Sequence, residues 1–472
     1  MRLVLFAIFL LASIRAFATP PQDQWFTVLL DGRKIGAFES KRESQGGRIV
    51  TSQQLDLVLE RAGISVALSS GESSVETHEG KPVSFRSVSR LSGVETIVEG
   101  VVQGDNLLVT HSGEQTPRRQ PWPKGALLPE GLRLAGLRAG LKPGTQYGAL
   151  SYQPSSLDAA EVSSTVQDIE DVDLPGGRKP LHAVAQTIAY PGAPMQTRAW
   201  VDEEQTIYKL TMPVMGVELT LLACDKACAT APNQSSDVFE RTLMPSPRAL
   251  SKTELAGTMR FTLAPRSAGA PLKLPQTDEQ DVVARGDLLE VTIRSAGEAR
   301  NEEKPGKDDY APNDWLQSKA PEVIALARHA AGTGGTPRER MARIETFVRG
   351  FIREKNLGVG YASALEVVRH PEGDCTEHAV LVAALGRAIG IATRVVDGLA
   401  YAPGFAGKER VFVPHAWAQA WVDGRWQSFD AALAGFDAGH IALSIGDGDP
   451  WRFYSGLDLL GRLDLRAADA AK

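Results

Sequence analysis

Residues 373–390 read GDCTEHAVLVAALGRAIG, and this stretch decides how the C-terminal third of the chain is built. Asp374 has the side chain of an N-cap, and Glu377 three positions on completes a capping-box pattern. Cys375 then falls on the first helical position. The body that follows is apolar on nearly every side, so the helix should be buried, and Gly390 supplies a C′ glycine to end it. Backbone N–H groups and the positive end of the helix dipole favour an anion at this position, which stabilises a thiolate. The alternative is that Cys375 is a small packed hydrophobe. Its polar Gly-Asp-Cys-Thr-Glu setting argues for the nucleophile.

Cysteine nucleophiles need a base, and the base needs a partner to orient it. Downstream, VFVPHAWAQAWVDGRWQSFDAAL (411–433) contains two alternating runs joined by Asp423-Gly424, a strong signal for a two-residue hairpin. With Val422 opposite Arg425, the pairing counts back to Ala432 opposite His415 and Asp430 opposite Trp417. His415 and Asp430 are then diagonal neighbours on one face, about 7–8 Å apart at the backbone, a gap two polar side chains can close. The same face takes Trp417, Gln419 and Trp421. A histidine beside an aspartate in a sheet can be a purely structural hydrogen bond. The cysteine helix close by in sequence favours a joint site.

Upstream of this helix, PEVIALARHAAG, TPRERMARIETFVRGFIREKN and SALEVVRH carry helical spacing, the second opening on Thr336 and Pro337. GEARNEEKPGKDDYAPNDW (297–315) has the charge, Pro and Gly of a linker. Before it, from about Gln24 to Ser295, the text is β: FTVLLDGRKIGAFES holds a hairpin signal at Asp31-Gly32, and similar runs follow between Gly/Pro/Ser breaks. Segments led by Trp25 and Trp200 look loosely alike, so two related curved sheets could result. The expected domains are a signal peptide (1–18), an antiparallel β-rich region (19–296), a linker (297–314), a catalytic domain (315–460) and a tail (461–472). The fold class expected is α+β.

The first residues, MRLVLFAIFLLASIRAFATPP, set Arg2 before an apolar run of about twelve residues, short of the roughly twenty a bilayer core needs. Ala16-Phe17-Ala18 fits a signal peptidase site. An exported, periplasmic chain with no stable membrane span is expected. A hydrophobic content of 43% is enough for real cores, and a net charge of −6 without a basic stripe argues against nucleic acid as a partner. There are three cysteines. Cys224 and Cys228 are close enough for a local disulfide in an oxidising compartment, or are two unpaired buried thiols. If they pair, Cys375 is left over, and an unpaired thiol in an exported protein needs a reason.

GDCTEHAVLVAALGRAIG, with PHAWAQAWVDGRWQSFDA (414–431) after it, closely resembles the transglutaminase-like superfamily. The family's Gly-x-Cys is Gly373-Asp374-Cys375, its Arg-Ala-x-Gly-Ile is Arg387 to Ile391, its His-Ala-Trp is His415 to Trp417, and its Trp-x-x-x-Asp is Trp426 to Asp430. The resemblance covers residues 310–443. It implies a papain-like α+β domain, with Cys375 as nucleophile, His415 as base and acid, and Asp430 orienting the imidazole. The implied chemistry is attack on an amide carbonyl, giving a thioester resolved by water (peptidase or amidase) or by an amine (acyl transfer). Family oxyanion holes add an upstream, often aromatic side chain; here Tyr361 is the candidate, with Trp417 and His378 as further pocket candidates. No acidic calcium loop is visible, so no cofactor is implied.

Cys375 and His378, three apart, could hold a metal with His370, but coordination would consume the thiolate, and no metal is expected. His440 is read as structural. Peptides, protein glutamine side chains and peptidoglycan peptides all suit the chemistry. A second reading is an inert transglutaminase-like scaffold whose β-rich region binds a lipid or protein partner. A thiol–disulfide oxidoreductase would prefer Cys-x-x-Cys, and Cys224 and Cys228 have one residue too many.

Overall fold

The computed structural model describes residues 22–61, 64–91, 94–112, 116–189, 194–214, 217–234, 237, 242–266, 273–295, 303–354, 361–433, 435–448 and 463–471. The segment expected as a signal peptide lies outside them. Among the described residues no helix is long and apolar enough to cross a membrane. The chain forms two compact units, one of residues up to 60 and 65–236, the other of Arg61–Ile64 and Asp237 to Lys472.

The first unit is one continuous sheet of fifteen strands, from β1 (Gln22–Leu30) to β15 (Val217–Cys224). The sequence left room for two related sheets. They are one because β1 and β15 pair antiparallel, Trp25 opposite Cys224 through Leu30 opposite Leu219. The first and last strands would otherwise each leave a row of unpaired backbone groups, and side by side they satisfy one another. Hairpins supply nearly all other connections. Asp31 and Gly32 take φ of 51° and 76°, the positive angles a tight hairpin turn requires. Cys224 and Cys228 are joined as a disulfide with their Cα atoms 6.0 Å apart. A helix at Pro129–Ala139 starts on Glu76, whose carboxylate accepts the N–H groups of Glu130 (2.7 Å) and Gly131 (2.9 Å).

The second unit begins some way before the expected boundary. β17 (Thr258–Pro265), β18 (Gln280–Arg285) and β19 (Leu288–Arg294) form a sheet ordered β18-β19-β17-β24, where β24 is Leu463–Ala470. Two expectations are corrected here. The β-rich text up to residue 296 does not belong to one domain, because β17 has β19 on one edge and β24 on the other. Residues 463–470 are a strand, since that second edge needs a partner. The charged segment expected as a linker is also built into this unit where it is described. Its backbone carbonyls take buried donors: Glu303 from the Trp426 indole (3.0 Å), Asp309 from Thr393 N–H (3.0 Å) and Ala311 from Arg387 (2.6 Å).

A second sheet runs β16 (Met244–Pro245), β21 (Lys408–Val422), β20 (Thr393–Phe405), β23 (His440–Gly446), with β22 (Arg425–Phe429) paired to β21. Besides the single turn Lys252–Leu255, among the described residues four helices of six or more residues accompany it, Pro321–Ala331, Pro337–Phe351, Ala364–Arg369 and Cys375–Ala388. The last three open on complete capping boxes, Thr336/Glu339, Ser363/Glu366 and Asp374/Glu377. The unit is thus α+β, while the chain as a whole is mostly β. The cysteine helix is buried from Thr376 to Arg387 and packs on β20, β21 and the other three helices. All-round apolarity is what such a central helix needs.

Candidate active site

Cys375 is the first residue of its helix, half-buried and outside any disulfide. The turn before it is demanding. Gly373 has φ +142°, and a Cβ there would lie 2.4 Å from Glu377 Cγ, so only glycine fits without displacement. Asp374 accepts from Thr376 N–H (2.9 Å), and Glu377 reaches back to Asp374 N–H (2.9 Å) and across to Ala362 N–H (2.8 Å). Burial, with the Asp374 charge beside it, pushes the Glu377 carboxyl up to about 8, against the pull of those N–H bonds. The helix start is fixed from three directions.

The helix packs along β21, the strand that carries His415. Asp423 and Gly424 take φ of 53° and 76°, and the hairpin pairs Val422 with Arg425 back to Ala418 with Phe429, the register counted from the turn. β22 ends at Phe429, and Asp430 leaves it turned toward β21. His415 Nε2 and Asp430 Oδ2 are 2.8 Å apart. The other oxygen, Oδ1, accepts from Ala432 N–H (2.8 Å) and Leu433 N–H (3.1 Å). Both residues are buried, at 5% and 1% exposure. Burial alone would raise the Asp430 carboxyl, but the His415 charge and the hydrogen bonds from His415 and His440 hold it far below the usual carboxylate range.

His440 was read as structural, yet its Nε2 reaches the same Oδ2 at 3.1 Å. Sequence pattern could not show this, because His440 arrives on β23, two strands from His415. β20 lies between them, and its Gly398 sits opposite both His415 and Ala442. A Cβ on Gly398 would meet Ile441 O at 2.1 Å and the Trp417 ring at 2.9 Å. The missing side chain leaves that face open for the rings.

Trp417 packs beside His415 with the planes 24° apart, meets the His440 ring edge-on at 5.2 Å, and donates its indole N–H to Ser428 Oγ (3.0 Å). It thus lies against both histidine rings. Tyr361 is placed otherwise. Its hydroxyl donates to Gly448 O (2.7 Å) and its ring packs edge-on against Trp315, so its single proton is spent on a carbonyl and not offered as an oxyanion donor. His378 is buried in the first turn, with Nδ1 2.6 Å from Asp374 O. His415, Asp430 and His440 present three ligand atoms within 4.8 Å of one another, a set that metals use, but each is already hydrogen-bonded within the trio. Asp397 on β20 is buried with Ser444 Oγ 3.4 Å from its Oδ2; burial pushes it up to about 8. Neither Asp397 nor Glu279, which is buried and accepts from Ser428 N–H (2.9 Å), carried any sequence signal.

Residues 324–431 match the family model of the transglutaminase-like superfamily. No curated protein matches the chain in sequence. Among solved structures the chain is similar to a β-barrel-like protein of a domain of unknown function from Brucella abortus, at 12% identity over 44% of this chain and 98% of that one, TM-score 0.36. It is also similar to a candidate cysteine protease from Cytophaga hutchinsonii, at 14% identity over 49% and 84% of the two chains, TM-score 0.30. A third, a candidate protease from Parabacteroides distasonis, is 11% identical over 77% and 68%, TM-score 0.21. At these TM-scores none of the three bears on function.

Proposed function

We propose that this chain, which carries a transglutaminase-like domain over residues 324–431, is an exported thiol enzyme that attacks amide carbonyls through Cys375, His415 and Asp430. One observation carries the reading: a buried His415–Asp430 hydrogen bond of 2.8 Å on the strand packed against the helix that Cys375 opens. Asp430 would hold the His415 ring with Nε2 engaged, leaving Nδ1 as the nitrogen that trades a proton with the Cys375 sulfur.

In the first half-reaction His415 takes the Cys375 proton and the thiolate attacks the carbonyl carbon. A C–S bond forms, and the C=O electron pair moves onto oxygen. Return of that pair breaks the C–N bond, and the amine leaves with the proton from the imidazolium. The second half-reaction runs the same steps with water or an amine as attacking group, deprotonated by His415, and regenerates the thiol. Water gives a peptidase or amidase; an amine gives acyl transfer. Peptides, protein glutamine side chains and peptidoglycan peptides are the substrate classes this chemistry fits. The Cys224–Cys228 disulfide supports an oxidising compartment, in line with the leader-like residues 1–18 and a periplasmic location.

The test is turnover of peptide, glutaminyl and amine substrate panels by the whole chain and by Cys375→Ala, with circular dichroism to check the fold. The expected result is activity abolished by a substitution that leaves the fold intact. Turnover by Cys375→Ala at the wild-type rate would overturn the reading.

A further inference from the structure

The four side chains Asp437, His440, Asp430 and His415 form an alternating row of carboxylate and imidazole, and only its last two members are used by the reaction above. His440 is 2% exposed. Nε2 contacts Asp430 Oδ2 at 3.1 Å. Nδ1 faces two oxygens of Asp437, Oδ1 at 3.0 Å and the carbonyl at 3.1 Å, against one N–H, that of Asp437, at 3.3 Å. Two acceptors nearer than one donor place a proton on Nδ1, and the Asp430 carboxylate requires one on Nε2. A ring with protons on both nitrogens is a cation. Its rings of contact are fixed: Phe436 at 4.9 Å, Trp417 at 5.2 Å and His415 at 5.6 Å between centroids.

We propose that His440 is a positioning residue for the His415–Asp430 pair, an imidazolium held between Asp437 and Asp430 that locks the Asp430 carboxylate and tempers its hold on the His415 proton. This inference rests on the reading of Cys375, His415 and Asp430 as the reacting set. With two imidazoles on Oδ2 and two backbone N–H groups on Oδ1, Asp430 cannot rotate without breaking several bonds at once. The charge matters as much as the geometry. A carboxylate shared with a fixed cation holds a second imidazolium less firmly, so His415 can return its proton to the leaving amine. The charged groups facing His440 are Asp430, Asp437 and, when protonated, His415. Burial lowers the His440 pKa, but hydrogen bonds and charge from Asp430 and Asp437 win and push it up to about 9. It therefore stays charged at neutral pH.

A structural role alone would lower activity at every pH equally; a charge role moves the profile. The measurement is the rate of Cys375 alkylation by iodoacetamide against pH, on the whole chain, for wild type, His440→Gln and Asp437→Asn. Thiolate–imidazolium pairs give a plateau bounded by two inflections, the upper one being loss of the His415 proton. Gln keeps an N–H for Asp430 and removes the charge. The expected result is an upper inflection raised by about one pH unit in His440→Gln and lowered by a smaller amount in Asp437→Asn, where the cation stays on Asp430 and a nearby negative charge is gone. Asp437 is 41% exposed, and Asn keeps the acceptor for Gly439 N–H, so this variant reads the charge effect even if the buried one misfolds. A wild-type plateau with unmoved inflections in both variants would overturn the inference alone. Wild-type Cys375 alkylating no faster than in the unfolded chain would remove the catalytic reading and this inference together.

Discussion

At Asp430 a single carboxylate accepts four hydrogen bonds, two from imidazoles and two from backbone N–H groups. Asp430→Asn keeps the shape and removes the charge between the rings. It should cut the rate of the Cys375 reaction by about 10²–10⁴-fold, read as kcat/KM on whichever amide substrate turns over. Asp430→Ala goes further, leaving two buried rings facing a void, and should cost about 3–5 kcal/mol in denaturant unfolding. Asp397 makes an independent prediction. Its pKa in the folded chain is about 8, above the roughly 4 of an unfolded aspartate. Between those values the unfolded chain gives up a proton that the folded chain keeps, so stability is lost as pH rises through that window. Asp397→Asn has no proton to hold. It should match wild type in melting temperature near pH 4 and exceed it near pH 8. That Cys375 opens its helix and that His415 approaches Asp430 were both legible in the sequence, because a capping box and an Asp-Gly turn are local codes. His440 and Asp397 were not, since their environment is made by strand neighbours far away in the text.

At the scale of the element, the cysteine helix and the β21–β22 hairpin are the two parts read correctly in detail. The hairpin register followed from Asp423-Gly424 alone, and it holds from Val422 to Ala418 on β21. It gave the His415–Asp430 approach although Asp430 lies one residue past the end of β22. The helix start depends on the glycine before its cap. Gly373→Ala puts a methyl 2.4 Å from Glu377 Cγ at φ +142°, so either the capping box or the backbone has to give. The expected cost is about 1–3 kcal/mol in denaturant unfolding, with slower alkylation of Cys375 as the first turn loosens. An unchanged stability would mean that the Glu377 bonds to Asp374 and Ala362 do not set the helix start. Tyr361 shows where element-level reading failed. Its place upstream of the cysteine suggested an oxyanion donor, and a carbonyl from residue 448 took the proton instead.

For the whole molecule, β character was legible and its division was not. Alternating runs from residue 24 to 295 look alike in the text, yet strand pairing assigns them to two units divided after residue 236. The cause is the C-terminal strand β24, which pairs with β17 across some two hundred residues of chain and draws β17, β18 and β19 into the second unit. Charge and proline made residues 297–314 read as a linker, but its carbonyls, from Glu303 on, serve buried donors of this unit. A chain beginning at Asp237 should therefore fold cooperatively and keep Cys375 reactive. One beginning at residue 303 lacks β17, β18 and β19, the other three strands of the β24 sheet, and should expose apolar surface, read as dye binding and loss of a sharp melting transition. The central claim, that Cys375 is a thiolate sustained by His415, is tested most directly by one rate. Alkylation of Cys375 by iodoacetamide near pH 6 should run at least about tenfold faster in the native chain than in denaturant, and His415→Ala should bring the native rate down to the denatured one. Equal rates in native and denatured wild type, or a native rate untouched by His415→Ala, would contradict it.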